Sequence, residues 1–193
     1  MEALLTSASR LIAERGTAVS LRDIAQDADV NLGLVHRYLG NKDQLVEVVY
    51  SAAANIAAER LAGASNLGEA LERLMTLGDG TTARLIGWAI LEGKGDAIAF
   101  RDSPALTVMT DLLRRDLLET DVRLEDEDLR VFSAFAMTVA LGWRLFAPTA
   151  LSAAGLDGSD SAEHTDRVIG YLRGLHEAIV RGEIGRVGGS LDG

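Results

Sequence analysis

A chain of 193 residues is long enough for one large domain or for a small domain joined to a larger one, and either buries a working core. Its hydrophobic content of 48% comes with only 5% aromatic residues and two prolines, which favours helices over sheets and predicts an all-α protein. The net charge of −10 excludes a surface that attracts nucleic acid all over, and the absence of cysteine excludes disulfides and thiolate metal sites.

Met1 leads into an amphipathic pattern carrying Glu2, Arg10, Glu14 and Arg15 rather than into a signal peptide, so a cytoplasmic chain without a membrane partner is expected. Leu4, Ala8, Leu11, Ile12 and Arg15 recur at helical spacing and Gly16 follows as a stop, which predicts a first helix over 2–15. Ser20 with Asp23 three residues on is a capping-box pattern, and it opens a short helix whose apolar face is Leu21, Ile24, Ala25 and Ala28. Asp29 and Val30 form a tight corner. Asn31 then caps a short helix from Leu32 to Leu39, ended by Gly40, and Asn41 with Gln44 repeats the capping logic ahead of a long helix over about 42–62. Two short helices joined by a tight corner and braced by an earlier helix make a helix-turn-helix arrangement, whose second member can lie in the major groove. A compact three-helix unit that touches no DNA is the alternative.

Any DNA contact has to be local, because residues 1–50 hold Arg10, Arg15, Arg22, Arg37 and Lys42 against seven carboxylates. Lys42 is the most telling residue. A cation in the first turn of a helix opposes the helix dipole, and a phosphate at the same end offsets that; a solvated lysine is the alternative. On the third helix Leu32, Leu34 and His36 are placed toward the groove, with Val30, Val35 and Leu39 inward. Leucines there suit thymine methyls or a neighbouring helix, and Arg22 suits a base or a phosphate.

The run from Leu21 to Leu45 resembles the N-terminal domain of the TetR family of transcriptional regulators. The match over 3–47 rests on Arg22-Asp23-Ile24-Ala25, on Gly33-Leu34-Val35-His36-Arg37-Tyr38, and on Asn41-Lys42-Asp43-Gln44-Leu45. The resemblance implies a DNA-contacting set of Ser20, Arg22, Leu32, Gly33, Leu34, His36, Tyr38 and Lys42. It also implies a domain division at 1–47 for the helix-turn-helix and 48–184 for a helical ligand-binding and dimerisation domain, with a flexible tail at 185–193. The chain departs from the family at the corner, where Asp29 replaces the usual Gly. It departs again at Leu32, Leu34 and His36, where Lys, Thr and Tyr are frequent, and an unusual base preference follows. Many members carry a basic arm ahead of the first helix, and the sequence as given has none.

Behind residue 62, helices are predicted at about 67–77, 80–94, 104–119, 125–147 and 161–182, with breaks that include Ser103-Pro104, Pro148 and 155–159. The most apolar stretch, Val131 to Trp143, is shorter than the ~20 residues of a spanning helix and is expected to be a buried core helix. Gly170, Gly174 and Ala178 recur every four residues, and with Ala136 and Ala140 they suggest a homodimer built from the last two long helices. Trp88, Leu91, Met109, Leu113, Phe135 and Trp143 are candidates to line a pocket for an apolar small-molecule effector, with plain core packing as the alternative. Arg84 and Arg144, embedded in apolar runs, suit an acidic ligand group or a snorkelling surface position.

Catalysis finds no constellation. His36, His164 and His176 stand at no metal-ligand spacing, Asp160 and Glu163 beside His164 read as a capping box with a solvated neighbour, and no phosphate loop or nucleophile elbow is present. The expectation is a regulator, not an enzyme, with no cofactor or metal, whose partners are a double-stranded DNA operator, an apolar effector and a second copy of itself. A helical ligand-binding or interaction protein without DNA binding is the other reading, favoured by the acidic first fifty residues.

Overall fold

The computed structural model describes residues 2–76, 80–93, 103–156 and 161–184, apart from the Leu39 side chain. Nine α-helices and one 3-10 turn, with no strand, occupy these residues: α1 Glu2–Arg15, the turn Gly16–Ala18, α2 Leu21–Asp27, α3 Leu32–Leu39, α4 Lys42–Ala62, α5 Leu67–Thr76, α6 Thr81–Leu91, α7 Pro104–Asp116, α8 Asp126–Ala153 and α9 Ser161–Val180. The all-α expectation holds. The tail at 185–193, the gap predicted at 78–79 and most of the break predicted at 155–159 lie outside the described residues.

The helices fall into two compact units, one of residues 1–56 with 78–103 and one of 57–77 with 104–193. In the first, the stripes predicted on α1 and α2 do face inward: Leu4, Ala8, Leu11, Ile12, Ile24 and Ala25 are buried together with Val35, Leu45, Val49 and Tyr50. Leu85 and Ala89 of α6 complete this core, and α6 packs on α1. Arg10 of α1 reaches Asp27 of α2 at 2.6 Å. The Ser7 hydroxyl, followed by Arg10, holds that carboxyl below its ordinary range.

In the second unit Leu61, Leu67, Leu71, Met109, Leu113 and Leu172 fill the centre between α5, α7, α8 and α9. Asp116 at the end of α7 ties two neighbours, accepting from the Leu67 amide at the start of α5 and lying 2.9 Å from His176 Nε2 of α9. Ser133, fully buried on α8, donates to the Leu129 carbonyl and accepts from Thr110 of α7 at 3.2 Å. Asp116, His176, Thr110 and Ser133, the polar groups in the interior of this unit named here, therefore each have a partner, as burial requires.

Four expectations need correction. Pro148 does not end its helix: α8 runs on to Ala153 with the proline inside it. A helix interior gives up one backbone hydrogen bond to a proline, at about 3 kcal/mol, and of the three apolar residues leading into it only Ala147 is buried, Phe146 being exposed. The stretch Val131 to Trp143 is only partly core, because Val131 and Phe135 are exposed. Ala136 and Ala140 are not surface residues; both are buried inside the unit. His164 is buried rather than solvated, while Glu163 pairs with Arg167 at 2.5 Å. With its added turns, α8 is also long and apolar enough, by length and composition alone, to cross a membrane. A core helix and a helix covered by a partner chain pass the same test.

Candidate nucleic-acid interface

Three consecutive capping devices fix the helix-turn-helix. The Ser20 hydroxyl accepts from the Asp23 amide at 3.1 Å, and Asp23 Oδ2 accepts from the Ser20 amide at 3.1 Å and its hydroxyl at 2.6 Å. These bonds draw the Asp23 carboxyl below its ordinary range, the hydroxyl contributing most. Asn31 Oδ1 accepts from the Gly33 amide at 2.7 Å, and Asn41 exchanges bonds of 2.9 Å with Gln44 in both directions. Each pair satisfies amides that a helix start leaves open, so α2, α3 and α4 begin where the sequence predicts.

The corner between α2 and α3 turns on Asp29, the sole non-glycine at positive φ among the described residues, at 53°. Its left-handed backbone lets the Val30 amide bond back to the Ala25 carbonyl at 2.9 Å, which closes α2 and swings the chain toward Asn31. Aspartate adopts this conformation at a cost of about 1 kcal/mol that glycine avoids.

The sides of α3 separate cleanly. Val35 is buried and Leu32 is half-buried against the first unit's core, whereas Gly33, Leu34, His36, Arg37 and Tyr38 are exposed. Leu34 keeps 48% of its surface and Tyr38 64%, with the Arg37 guanidinium 5.8 Å above the Tyr38 ring centre. Leu32 is thus displaced from the outward set predicted for it; one leucine, not two, is offered to solvent. Val30 is half-buried as expected, and the placement of the Leu39 side chain lies outside the described residues. His36 Nδ1 stands 3.3 Å from the Gly40 carbonyl, and Arg22 is exposed on α2. Ser20 is exposed too, but its hydroxyl proton is committed to Asp23.

Lys42, the first residue of α4, is half-buried and donates from Nζ to the Thr17 carbonyl in the turn after α1. Thr17 is held in turn from α6, because its hydroxyl lies 2.6 Å from both Glu92 carboxylate oxygens and its amide 3.3 Å from one of them. No sequence signal links Thr17 to Glu92. They are 75 residues apart, and neither spacing nor periodicity relates them.

The six effector candidates do not gather within either unit. Trp88 lies against Gly16 in the first unit and Leu91 is 80% exposed there. Met109 and Leu113 are fully buried core residues of the second unit, where Phe135 is 47% exposed and Trp143 donates from its indole to Thr165 at 3.0 Å. A cleft of about 660 Å³ in the second unit is lined instead by polar and charged residues including Glu69, Glu72, Asp116, Arg173 and His176. Arg84 bonds weakly to Thr81 at 3.4 Å, and Arg144 is half-buried. Among the described residues no group of His, Asp or Glu is arranged to hold a metal.

Residues 4–49, which span all three capping devices and the corner, match the profile described as "Bacterial regulatory proteins, tetR family". The HTH-type transcriptional repressor Rv3405c of Mycobacterium tuberculosis (strain ATCC 25618 / H37Rv) is 35% identical over 158 residues, covering 80% of this chain and 77% of its own. Among solved structures, the fatty acid degradation regulator FadR from Bacillus halodurans matches with a TM-score of 0.60 at 14% identity, over 94% of this chain and 98% of that one. BioQ from Mycobacterium smegmatis matches with a TM-score of 0.56 at 17% identity, over 91% and 96%. At such identities the two structures speak for the fold alone. The repressor's identity extends far beyond the helix-turn-helix and the fold follows the same plan, so the chain belongs to the TetR family of DNA-binding transcriptional regulators, which are not enzymes.

Proposed function

We propose that the protein is a ligand-responsive repressor that binds a palindromic operator as a dimer, with α3 in the major groove. The observation that carries this reading is the division of α3: Val35 and Leu32 anchor it, and a contiguous exposed side of Gly33, Leu34, His36 and Tyr38 is left to meet base edges and backbone. Lys42, at the N-terminus of α4, adds a cation and open amides that both favour a phosphate. Arg22 and the exposed edge of Ser20 complete the contacting set on the α2 side.

A second copy is the partner for the exposed faces of α8 and α9. Val131, Phe135 and Phe146 project from one side of α8, and Tyr171 projects from α9 beside Gly170 and Gly174, where an added Cβ meets nothing within 4 Å. Exposed aromatics on α8 and open glycines on α9 suit close helix approach by another chain. An apolar small molecule is the proposed effector, and the half-buried Trp143 is better placed to touch it than the core residues Met109 and Leu113. It acts by favouring an arrangement whose two reading helices no longer match adjacent grooves. The location proposed is the cytoplasm, with no membrane partner.

Genomic fragments selected on the purified protein and sequenced provide the test. An enriched inverted repeat is the expected result; fragments without enrichment would favour a ligand-binding or interaction protein.

A further inference from the structure

The Thr17 turn is gripped on both sides by residues remote from it in sequence. Its carbonyl accepts from Lys42 of α4, and its amide and hydroxyl donate to Glu92, which follows the last residue of α6. The grip is reinforced one residue earlier. Gly16 has φ +69°, and a Cβ built on it stands 3.1 Å from the Trp88 ring, so the turn lies close against α6 and a side chain there would be strained and would press on the indole. The carbonyl that orients Lys42 is therefore held from α6 as well as from the α1 that precedes it.

We propose that Glu92 is a positioning residue for DNA binding: through Thr17 it holds the carbonyl that aims the Lys42 ammonium at the operator backbone. The inference rests on the reading of Lys42 as a phosphate contact. An ammonium has three donors, and spending one on a fixed carbonyl leaves two in defined directions at the N-terminus of α4. Without that anchor, a four-carbon chain samples many rotamers and the phosphate bond has to order it. Charge alone predicts the reverse of this proposal, because losing a carboxylate from the DNA-binding unit favours a polyanion. The sign of the effect thus separates positioning from electrostatics.

The test is a double-mutant cycle on the selected operator at several salt concentrations, with the melting temperature of each variant measured alongside. Glu92→Leu and Thr17→Val are each made with Lys42 intact and with Lys42→Ala; Thr17→Val serves if Glu92→Leu does not fold. With Lys42 present, either change is expected to weaken operator binding about five- to tenfold and to make the salt slope shallower by up to about one per subunit. In the Lys42→Ala background the same changes should alter affinity less than about twofold. Glu92→Gln, which keeps an acceptor for the Thr17 hydroxyl, should retain most of the affinity. Equal losses in both backgrounds, or tighter binding by Glu92→Leu, would overturn the proposal. If Lys42→Ala by itself leaves affinity and salt slope unchanged, the phosphate reading of Lys42 fails and this inference fails with it. A normal Lys42→Ala loss with no coupling to Glu92 or Thr17 defeats the positioning role alone.

Discussion

At the scale of single residues, two side chains sit where another would be more stable. Asp29 holds a left-handed backbone at φ 53° in the helix-turn-helix corner and is exposed, so it has no packing to lose. Asp29→Gly relieves a conformational cost of about 1 kcal/mol but loosens the unfolded chain, and a net gain of about 0.5 kcal/mol is expected in urea unfolding. Operator binding should tighten as well, since the change removes a negative charge beside α3. Tyr50 is the second case. Its hydroxyl is buried and has no partner among the described residues, and burial, helped by the Glu92 charge, raises its pKa from the ordinary 10.0 to about 12. A neutral phenol is what the fold accommodates. The contribution is therefore fully present below pH 10 and is lost as the pH rises toward 12. Tyr50→Phe should raise stability by about 1 kcal/mol at neutral pH and flatten the alkaline loss; a destabilised variant would reveal a hidden partner. The two positions differ in how readable they are. Asp29 stands at a corner that the capping pattern announces, whereas Tyr50 occupies an ordinary apolar position of α4, and only the assembled core shows its hydroxyl stranded.

At the scale of elements, the helix starts were legible because capping is local chemistry. Ser20 with Asp23, Asn31 with Gly33, and Asn41 with Gln44 act over two or three residues, and each makes the bonds that its spacing implies. The end of α8 was not, since Pro148 is a stop signal when read alone, yet the helix carries it inside and runs on to Ala153. Leu32 was misplaced for a related reason: an apolar residue in the first turn of a short helix can face either way, and here the core of α1 and α2 takes it. For DNA the same element-level logic divides phosphate contacts from base contacts. Lys42→Ala should weaken binding to all sequences alike and lower the salt slope by about one per subunit. His36→Ala and Leu34→Ala should each cost about 1–3 kcal/mol on the preferred operator and relax selectivity at one position per half-site. Binding isotherms on the operator and its single-base variants, at several salt concentrations, decide it; even losses across all sequences would mean that α3 does not read bases.

For the whole molecule, the decisive question is what covers α8 and α9. The glycine spacing on α9 was legible, and the outward openness of Gly170 and Gly174 agrees with it. Which residues oppose them on α8 was not, because helical periodicity alone does not say which side of an apolar helix its own unit consumes. The structure assigns Ala136 and Ala140 to the unit's core and leaves Val131, Phe135 and Phe146 outside. Leaving such a patch in water is unfavourable by about 25 cal/mol per Å² of apolar surface, and a second copy presenting the same face removes it by an isologous contact. Palindromic operators require that symmetry, since each half-site needs its own α3. A charged or bulky group placed there should therefore separate the subunits without unfolding them. Phe135→Asp and Gly174→Arg, both at exposed positions, are expected to sediment as monomers of about 20.5 kDa at micromolar concentration, where the unaltered protein is expected to sediment as a dimer. Their helical content should be unchanged. Operator affinity should fall by orders of magnitude, because a single reading unit loses the linkage between half-sites. If the unaltered protein is itself monomeric at that concentration, or if the two variants remain dimers, these faces are not the subunit contact.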